Sequence, residues 1–132
     1  MNKYTIYNVP ILKISDSYEY TLLDIVKKRK FKNIIIFVDQ FFNRKKLFKN
    51  SYLNKKIIYI DTAYEPTTDQ IDKLMVKLKL KNKIDCVIGV GGGSILDVAK
   101  AISILLKNKG KCSKYVGWDK VKTPGVYKIA IP

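Results

Sequence analysis

The sequence of 132 residues contains no histidine. Histidine is the side chain that most often serves as a general base near neutral pH and as a metal ligand. Its absence excludes a Ser-His-Asp triad, a histidine-based zinc site and histidine acid–base chemistry within these residues. These residues alone therefore do not complete chemistry of that kind.

Cysteine and long apolar runs are also scarce. The two cysteines, Cys86 and Cys112, match no metal-binding spacing, and Cys86 lies in an apolar run that is typical of a small core residue. No apolar run reaches the roughly 18 residues that a membrane helix needs. Residues 1–5 lack the apolar core of a signal peptide. The sequence therefore predicts a cytoplasmic protein with no disulfide and no membrane segment.

Arginine is rare although the chain is strongly basic. The formal net charge is +15, from 26 basic and 11 acidic residues, yet Arg29 and Arg44 are the only arginines. A basic chain raises nucleic acid as a partner. Base-edge and bidentate phosphate recognition favour arginine, however, and no aromatic–basic interleaving of the kind that binds single strands appears. We interpret the lysines as a solvated surface and keep a nucleic-acid-binding module only as a minor alternative.

Short apolar runs recur along the chain. Four of them are typical of strands, the first three of buried parallel strands: residues 33–39, 56–61, 84–90 and 127–131. An earlier segment, residues 4–14, alternates loosely and is interrupted by Pro10, which predicts an edge strand or a hairpin.

Helical patterns separate these runs. Residues 18–30 have helical spacing and end in four basic residues, which suit the negative end of a helix dipole. Thr67 and Gln70 form a capping-box pattern that predicts a second helix, and a third is predicted to start at Ser94. The alternation predicts one α/β domain over residues 1–132, of the Rossmann-like layered type with a mainly parallel sheet.

The most informative segment follows the third predicted strand, where residues 91–100 read Gly-Gly-Gly-Ser-Ile-Leu-Asp-Val-Ala-Lys. Because glycine has no Cβ, the backbone can take a positive φ and can approach a ligand closely. The first N–H groups of the following helix point outward with the positive end of its dipole. Strand, turn and helix together predict an anion site suited to a pyrophosphate.

Two common phosphate motifs do not fit this turn. Gly89-Val90-Gly91 begins a Gly-x-Gly-x-x-Gly pattern, but Ser94 stands where the last glycine belongs. No Gly-Lys-Ser/Thr follows at the spacing of a P-loop. A plain capping box from Ser94 to Asp97 remains an alternative, although capping does not need three glycines.

The same segment resembles a known family. Gly-Gly-Gly-Ser-x-x-Asp-x-Ala-Lys, complete at residues 91–100, resembles the hallmark of the iron-containing (group III) alcohol dehydrogenases. Val38-Asp39, Glu65-Pro66-Thr67 and Ile131-Pro132 are similar to further segments of that family. The resemblance covers nearly the whole chain. It implies the nucleotide-binding N-terminal domain alone, without the helical second domain whose aspartate and histidines hold the metal.

A narrower resemblance points to one subgroup. Residues 61–67, 115–119 and 124–127 are similar to the 3-deoxy-manno-octulosonate 8-oxidases. That resemblance implies a sugar-acid substrate, oxidised at the terminal carbinol of its eight-carbon chain.

The family resemblance also implies roles for single residues. The turn and the Ser94 hydroxyl would hold the pyrophosphate, and Asp97 would reach the nicotinamide amide. Asp39 would accept the ribose hydroxyls and repel a 2′-phosphate, which favours NAD over NADP. Helix capping remains the alternative for Asp97 and for Thr67. The candidate cofactor-binding residues are Asp39, Glu65, Thr67, Gly91, Gly92, Gly93, Ser94 and Asp97, and no catalytic residue or metal ligand is assigned.

The implied function is an NAD- and metal-dependent oxidation of a primary alcohol, with Fe(II) or Zn(II) held outside this chain. The isolated chain is then expected to be inactive, and its expected partners are a small alcohol or sugar acid and a second copy or a missing C-terminal half. Two alternatives stay open besides nucleic-acid binding. One is a non-catalytic nucleotide-binding remnant of a split gene, and the other is a dehydroquinate-synthase-like cyclase domain.

Overall fold

A computed structural model describes residues 10–81 and 83–132. Its strands are β1 (Ile34–Asp39), β2 (Ile57–Ile60), β3 (Cys86–Val90) and β4 (Tyr127–Ile131). Its helices are α1 (Tyr18–Lys28), α2 (Ser51–Asn54), α3 (Thr68–Lys79) and α4 (Gly93–Leu105), with short 3-10 turns at Gln40–Phe42 and Cys112–Tyr115. Of the segment predicted as an edge strand or hairpin, residues 4–9 lie outside the described residues, and residues 10–14 form no strand.

The four strands form one parallel sheet in the order β2-β1-β3-β4. Side chains of α1 and α2 pack on one face, and side chains of α3 and α4 pack on the other. The connection from β1 to β2 therefore runs over one face of the sheet. The connections from β2 to β3 and from β3 to β4, which contain α3 and α4, run over the other face. The order reverses between β1 and β3, where α/β folds bind ligands beyond the carboxyl ends of the strands. This arrangement confirms the predicted α/β class and its parallel sheet.

The core lies on both faces of the sheet because alternate residues of each central strand point to opposite sides. In β1, Ile35 and Phe37 join the cluster beneath α3 and α4, and the intervening isoleucine, Ile36, joins the cluster beneath α1 and α2. All three side chains are buried. A continuous β-branched run is thus the pattern of a strand covered on both faces, as the sequence predicted.

Gly89 lets α4 lie close against β3. A Cβ built on Gly89 would stand 2.9 Å from the Cβ of Ala99, nearer than side chains tolerate. Two small residues facing each other thus hold the glycine turn and the helix that follows it at a fixed distance from the sheet.

The helix ends follow local capping rules. The side chain of Thr67 accepts from the Gln70 N–H, and the Gln70 side chain accepts from the Thr67 N–H, so the predicted capping box is confirmed. Ser17 caps α1 in the same manner through the N–H of Tyr20. Helix α1 ends two residues earlier than predicted, and Lys30 adopts a positive φ of 57°.

Within residues 10–81 and 83–132, no helix is both long enough and apolar enough to cross a membrane.

Candidate functional site

The carboxyl ends of β1 and β3 lie side by side at the point where the strand order reverses. Val38 is paired with Val90, so the next residues along the two strands, Asp39 and Gly91, are neighbours. The N–H of Gly91 donates to the carbonyl of Ile131, which anchors the start of the turn to β4. Asp39, predicted to bind the ribose, and the glycine turn, predicted to bind the phosphates, are therefore adjacent at the carboxyl ends of the two central strands.

The three glycines of the turn differ in what they contribute to the fold. Gly91 has a φ of +137°, a conformation that residues with a Cβ rarely adopt. Gly92 and Gly93 have no such φ, and a Cβ built on either would meet nothing within 4 Å. The described structure requires glycine at Gly91 only, and the other two leave an open backbone surface.

Helix α4 begins one residue earlier than predicted. Gly92 is the N-cap, Gly93 is the first helical residue, and no side chain caps the end. The capping box proposed from Ser94 to Asp97 is therefore wrong, because both residues lie inside the helix. The backbone N–H groups of Gly92, Gly93 and Ser94 donate to no acceptor among the described residues. Three donors at the positive end of a helix of 13 residues are free to meet an anion.

The hydroxyl of Ser94 points to the loop that precedes α3. It donates to Oε2 of Glu65 across 3.3 Å, although the two residues are 29 positions apart in the sequence. Glu65 is exposed and Ser94 is half-buried. This contact brings two of the predicted site residues together and places a carboxylate beside the free end of α4.

Asp39 is held in place by two donors. Its Oδ1 accepts from the backbone N–H of Phe41 at 2.7 Å, and its Oδ2 accepts from the hydroxyl of Thr62. Thr62 follows β2, so this hydrogen bond joins the ends of two neighbouring strands. Each carboxylate oxygen can accept more than one hydrogen bond. The fixed carboxylate therefore keeps capacity for further hydroxyl donors.

A shallow depression of about 170 Å³ lies between the first turns of α3 and α4. Glu65, Thr67 and Asp97 all line it, together with Cys112. Thr67 is engaged as the N-cap of α3, and Asp97 pairs with Lys100 at 2.9 Å on the exposed side of α4. Three of the predicted residues thus share one surface, whereas Asp39, the three glycines of the turn and Ser94 do not line it.

Sequence reasoning missed Thr62 and Cys112. The N–H of Cys112 donates to Oδ1 of Asp72 at 2.8 Å, which fastens the loop after α4 onto α3. Burial raises the pKa of the Cys112 thiol, and the nearby Asp72 carboxylate raises it further. Cys112 belongs to no motif, and Thr62 lies within the segment at residues 61–67, in which no role was assigned to it. Its position directly after a predicted strand, one strand away from Asp39, was a further signal for Thr62.

The donors of this site suit a dinucleotide better than a metal ion. Free N–H groups, an open glycine backbone and a strand-end carboxylate are the groups that bind phosphate and ribose in α/β folds. Among the described residues, no three His, Cys, Asp or Glu side chains come together as metal ligands.

Comparison with known proteins gives a family match over most of the chain. The family described as iron-containing alcohol dehydrogenase matches residues 16–132. Sulfoacetaldehyde reductase of Bilophila wadsworthia is 40% identical over 75 residues, which are 57% of this chain and 19% of that protein. Long-chain-alcohol dehydrogenase 1 of Geobacillus thermodenitrificans is 37% identical over 78 residues, which are 57% and 20% of the two chains. The chain therefore spans about a fifth of these curated relatives.

Solved structures share the fold. NADH-dependent butanol dehydrogenase A from Thermotoga maritima superposes with a TM-score of 0.73 over 97% of this chain and 34% of its own, at 15% identity. Sulfoacetaldehyde reductase from Bifidobacterium kashiwanohense, solved in complex with NAD+, gives 0.66 over 83% and 30% at 22% identity. At such identities the likeness establishes the fold alone.

Proposed function

The chain belongs to the iron-containing alcohol dehydrogenase family, and from that premise we propose that it is the NAD-binding N-terminal domain of a metal-dependent alcohol dehydrogenase. The domain comprises residues 1–132, and the metal-binding domain of the complete enzyme lies outside them. The corresponding reaction is the oxidation of a primary alcohol, or the reverse reduction of an aldehyde.

One observation carries the nucleotide-binding part of this proposal. The fold needs glycine at Gly91 because of its positive φ, but nothing in the described structure needs glycine at Gly92 or Gly93. Glycine inside a helix costs about 0.5–1 kcal/mol relative to alanine, so the helix itself gives no reason for glycine at Gly93. A bare backbone beside three free N–H groups is the surface that a pyrophosphate requires. This argues for ligand binding over simple capping as the reason for the glycines.

Each candidate residue then has a defined task. The N–H groups of Gly92, Gly93 and Ser94 donate to the pyrophosphate oxygens. Asp39 accepts from the hydroxyls of the adenosine ribose and disfavours a 2′-phosphate by repulsion, so that NAD is the preferred cofactor. Asp97 lies on α4 one turn beyond Ser94, where it lines the depression and would orient the nicotinamide amide.

Glu65 and Thr67 shape the wall opposite α4. The capping box fixes Thr67, and the Ser94 hydroxyl holds Glu65. Thr67 contributes mainly by shaping the cleft, and Glu65 lies at the end of α4 to which we assign the pyrophosphate.

Bound NAD would supply the hydride acceptor, and the Fe(II) or Zn(II) of the complete enzyme would supply a Lewis acid. The described residues do not fit a metal ion. We therefore assign this chain the binding and orientation of the cofactor only, and no reaction step through the metal.

The substrate is a small alcohol or aldehyde. One curated relative is named as a sulfoacetaldehyde reductase and another as a long-chain-alcohol dehydrogenase, which supports a broad class of alcohols and aldehydes. The narrower proposal is that the substrate is a 3-deoxy-octulosonate, oxidised at its C8 carbinol. The resemblance of residues 61–67 and 115–119 to the 3-deoxy-manno-octulosonate 8-oxidases supports it. A non-catalytic nucleotide-binding remnant is the alternative in which binding persists without a catalytic partner.

The proposal is tested by titrating NAD into the folded chain while following backbone amide shifts by NMR. We expect shifts concentrated at Gly92, Gly93 and Ser94, with weak affinity because the proposed site of these residues is open and shallow. A folded sample that shows no shifts at millimolar NAD would contradict the proposal.

A further inference from the structure

The carboxylate of Glu65 contacts the first turn of α4, to which we assign the pyrophosphate. Its Oε2 accepts from the hydroxyl of Ser94, the second residue of that helix. The neighbouring N–H groups of Gly92 and Gly93 have no acceptor among the described residues. The positive end of the helix dipole is thus partly satisfied by a negative charge that the protein itself supplies.

A pyrophosphate that binds the same helix end meets this carboxylate. A negative side chain near a helix N-terminus stabilises the empty protein, and it repels a second anion that arrives there. The other acidic residue of the depression, Asp97, is paired with Lys100, which reduces its repulsion. Glu65 has no basic partner among the described residues.

We propose that Glu65 is an internal competitor of the pyrophosphate, so that it lowers the affinity of the glycine turn for phosphate-bearing ligands and sets how weakly the domain holds NAD. This inference rests on the proposed function. It states whether Glu65 strengthens or weakens the binding of NAD. If Glu65 favoured NAD binding, its carboxylate would accept a hydrogen bond from a ribose hydroxyl. If Glu65 competes with the pyrophosphate, its carboxylate must move away or be screened when the phosphates bind.

The test compares Glu65→Gln with the parent. The amide keeps the size and can still accept from Ser94, but it carries no charge. Asp69→Asn is the matched control, because Asp69 is exposed in the first turn of α3 and its replacement changes the net charge by the same amount. Thermal unfolding of all three proteins checks that the fold is retained. The probes are inorganic pyrophosphate, NAD and adenosine, which has no phosphate.

We expect Glu65→Gln to bind pyrophosphate and NAD about three- to tenfold more tightly than the parent, with adenosine unchanged. The gain should shrink at high salt, because exposed charges are screened over about 8 Å at physiological ionic strength. Amide shifts of Gly92 and Gly93 should report the pyrophosphate. Asp69→Asn should bind all three ligands as the parent does.

Several results would overturn the competition. One is that Glu65→Gln binds pyrophosphate no more tightly than the parent does. Another is that Asp69→Asn gains as much affinity for pyrophosphate as Glu65→Gln does. A third is that neither the parent nor Glu65→Gln binds pyrophosphate at tens of millimolar (roughly the weak limit of such sites). Failure of the proposed function is a separate outcome: pyrophosphate binds more tightly to Glu65→Gln, yet NAD and adenosine bind neither protein. If NAD binds the parent and Glu65→Gln brings no gain, the function stands and the competition fails.

Discussion

The hydroxyl of Thr62 donates a hydrogen bond to the Asp39 carboxylate and thereby joins the ends of β2 and β1. With the N–H of Phe41 on the other carboxylate oxygen, Asp39 is fixed by one donor on each side. Two hydroxyls of a ribose need an acceptor that is already oriented, because ordering a free side chain on binding costs entropy. We therefore expect Thr62 to position the Asp39 carboxylate for the proposed contact with the ribose.

Replacing Thr62 by valine should weaken NAD binding about two- to fivefold, since one hydrogen bond to a charged group contributes roughly 0.5–1 kcal/mol net at a partly exposed site. Thr62→Ser keeps the hydroxyl and should restore the affinity. Adenosine and 2′,3′-dideoxyadenosine give the decisive comparison by calorimetry. A loss in Thr62→Val that is equal for both nucleosides would mean that Thr62 acts only on the fold.

Asp39 itself should set the choice between the two cofactors. Asp39→Gly removes the carboxylate that repels a 2′-phosphate, and the NAD/NADP affinity ratio should fall by about tenfold, or roughly 1–2 kcal/mol. Asp61→Gly is the matched control, because Asp61 follows β2 and its Oδ1 accepts from the Ala63 N–H, two residues ahead, as Asp39 accepts from Phe41. An Asp39 variant with the parent's ratio would place the ribose elsewhere.

Local chemistry determined what could be predicted from sequence. The capping box of Thr67 and Gln70 spans four residues, and β4 needs only a short apolar run, so both were predicted where the structure has them. Helix α2 was missed because a helix of four residues, Ser51–Asn54, has no periodicity to detect. The start of α4 was misplaced by one residue because a glycine N-cap offers no side-chain signal.

The contacts that assemble the site are not local. Ser94 meets Glu65 across 29 residues, and Thr62 meets Asp39 across 23. Sequence motifs identified three of these four residues by resemblance, but only the strand order β2-β1-β3-β4 determines which of them are neighbours. No pattern in the sequence indicates that the Glu65 side chain accepts from Ser94.

Replacing Gly89 by alanine should lower the stability of the fold, whereas replacing Gly92 by alanine should leave it nearly unchanged. Gly89→Ala puts a Cβ 2.9 Å from that of Ala99, so the free energy of unfolding should fall by about 1–3 kcal/mol. Gly92→Ala has open space and should change it by less than about 0.5 kcal/mol. Urea unfolding measures both variants.

Gly92→Ala should nevertheless weaken NAD binding by at least about tenfold, because its methyl group stands where the pyrophosphate approaches the backbone. Calorimetry on the folded variant measures this loss. A Gly92→Ala protein with the parent's affinity would remove the main support for phosphate binding at the turn.

The isolated chain should form no NADH from primary alcohols or sugar acids, even with Fe(II) or Zn(II) present. It has no histidine, and its described residues offer no group of three metal-binding side chains. An intact family member serves as the positive control in the same absorbance assay. Fusion to a metal-binding half should bring metal-dependent turnover. Chelator-sensitive turnover by the chain alone would contradict the two-domain proposal.

The buried thiol of Cys86 makes stability depend on alkaline pH. Burial, aided by the adjacent Asp85 carboxylate, raises the pKa of Cys86 from 9.0 to about 12. The neutral thiol is therefore favoured in the folded state, and its contribution is complete below about pH 9, where the unfolded thiol is also protonated. Above that pH the unfolded chain releases the proton first, so the free energy of unfolding falls until the folded thiol ionises as well.

Between pH 8 and pH 10.5, roughly the span over which the unfolded thiol ionises, this loss should amount to about 1–2 kcal/mol. Urea unfolding of the parent and of Cys86→Ala at both pH values isolates the contribution of the Cys86 thiol, because the two proteins differ only at this residue. The alanine variant is less stable throughout, since it leaves a small cavity, but it should lose less on going to pH 10.5. Equal losses in the two proteins would mean that the Cys86 thiol ionises as readily in the folded core as in the unfolded chain.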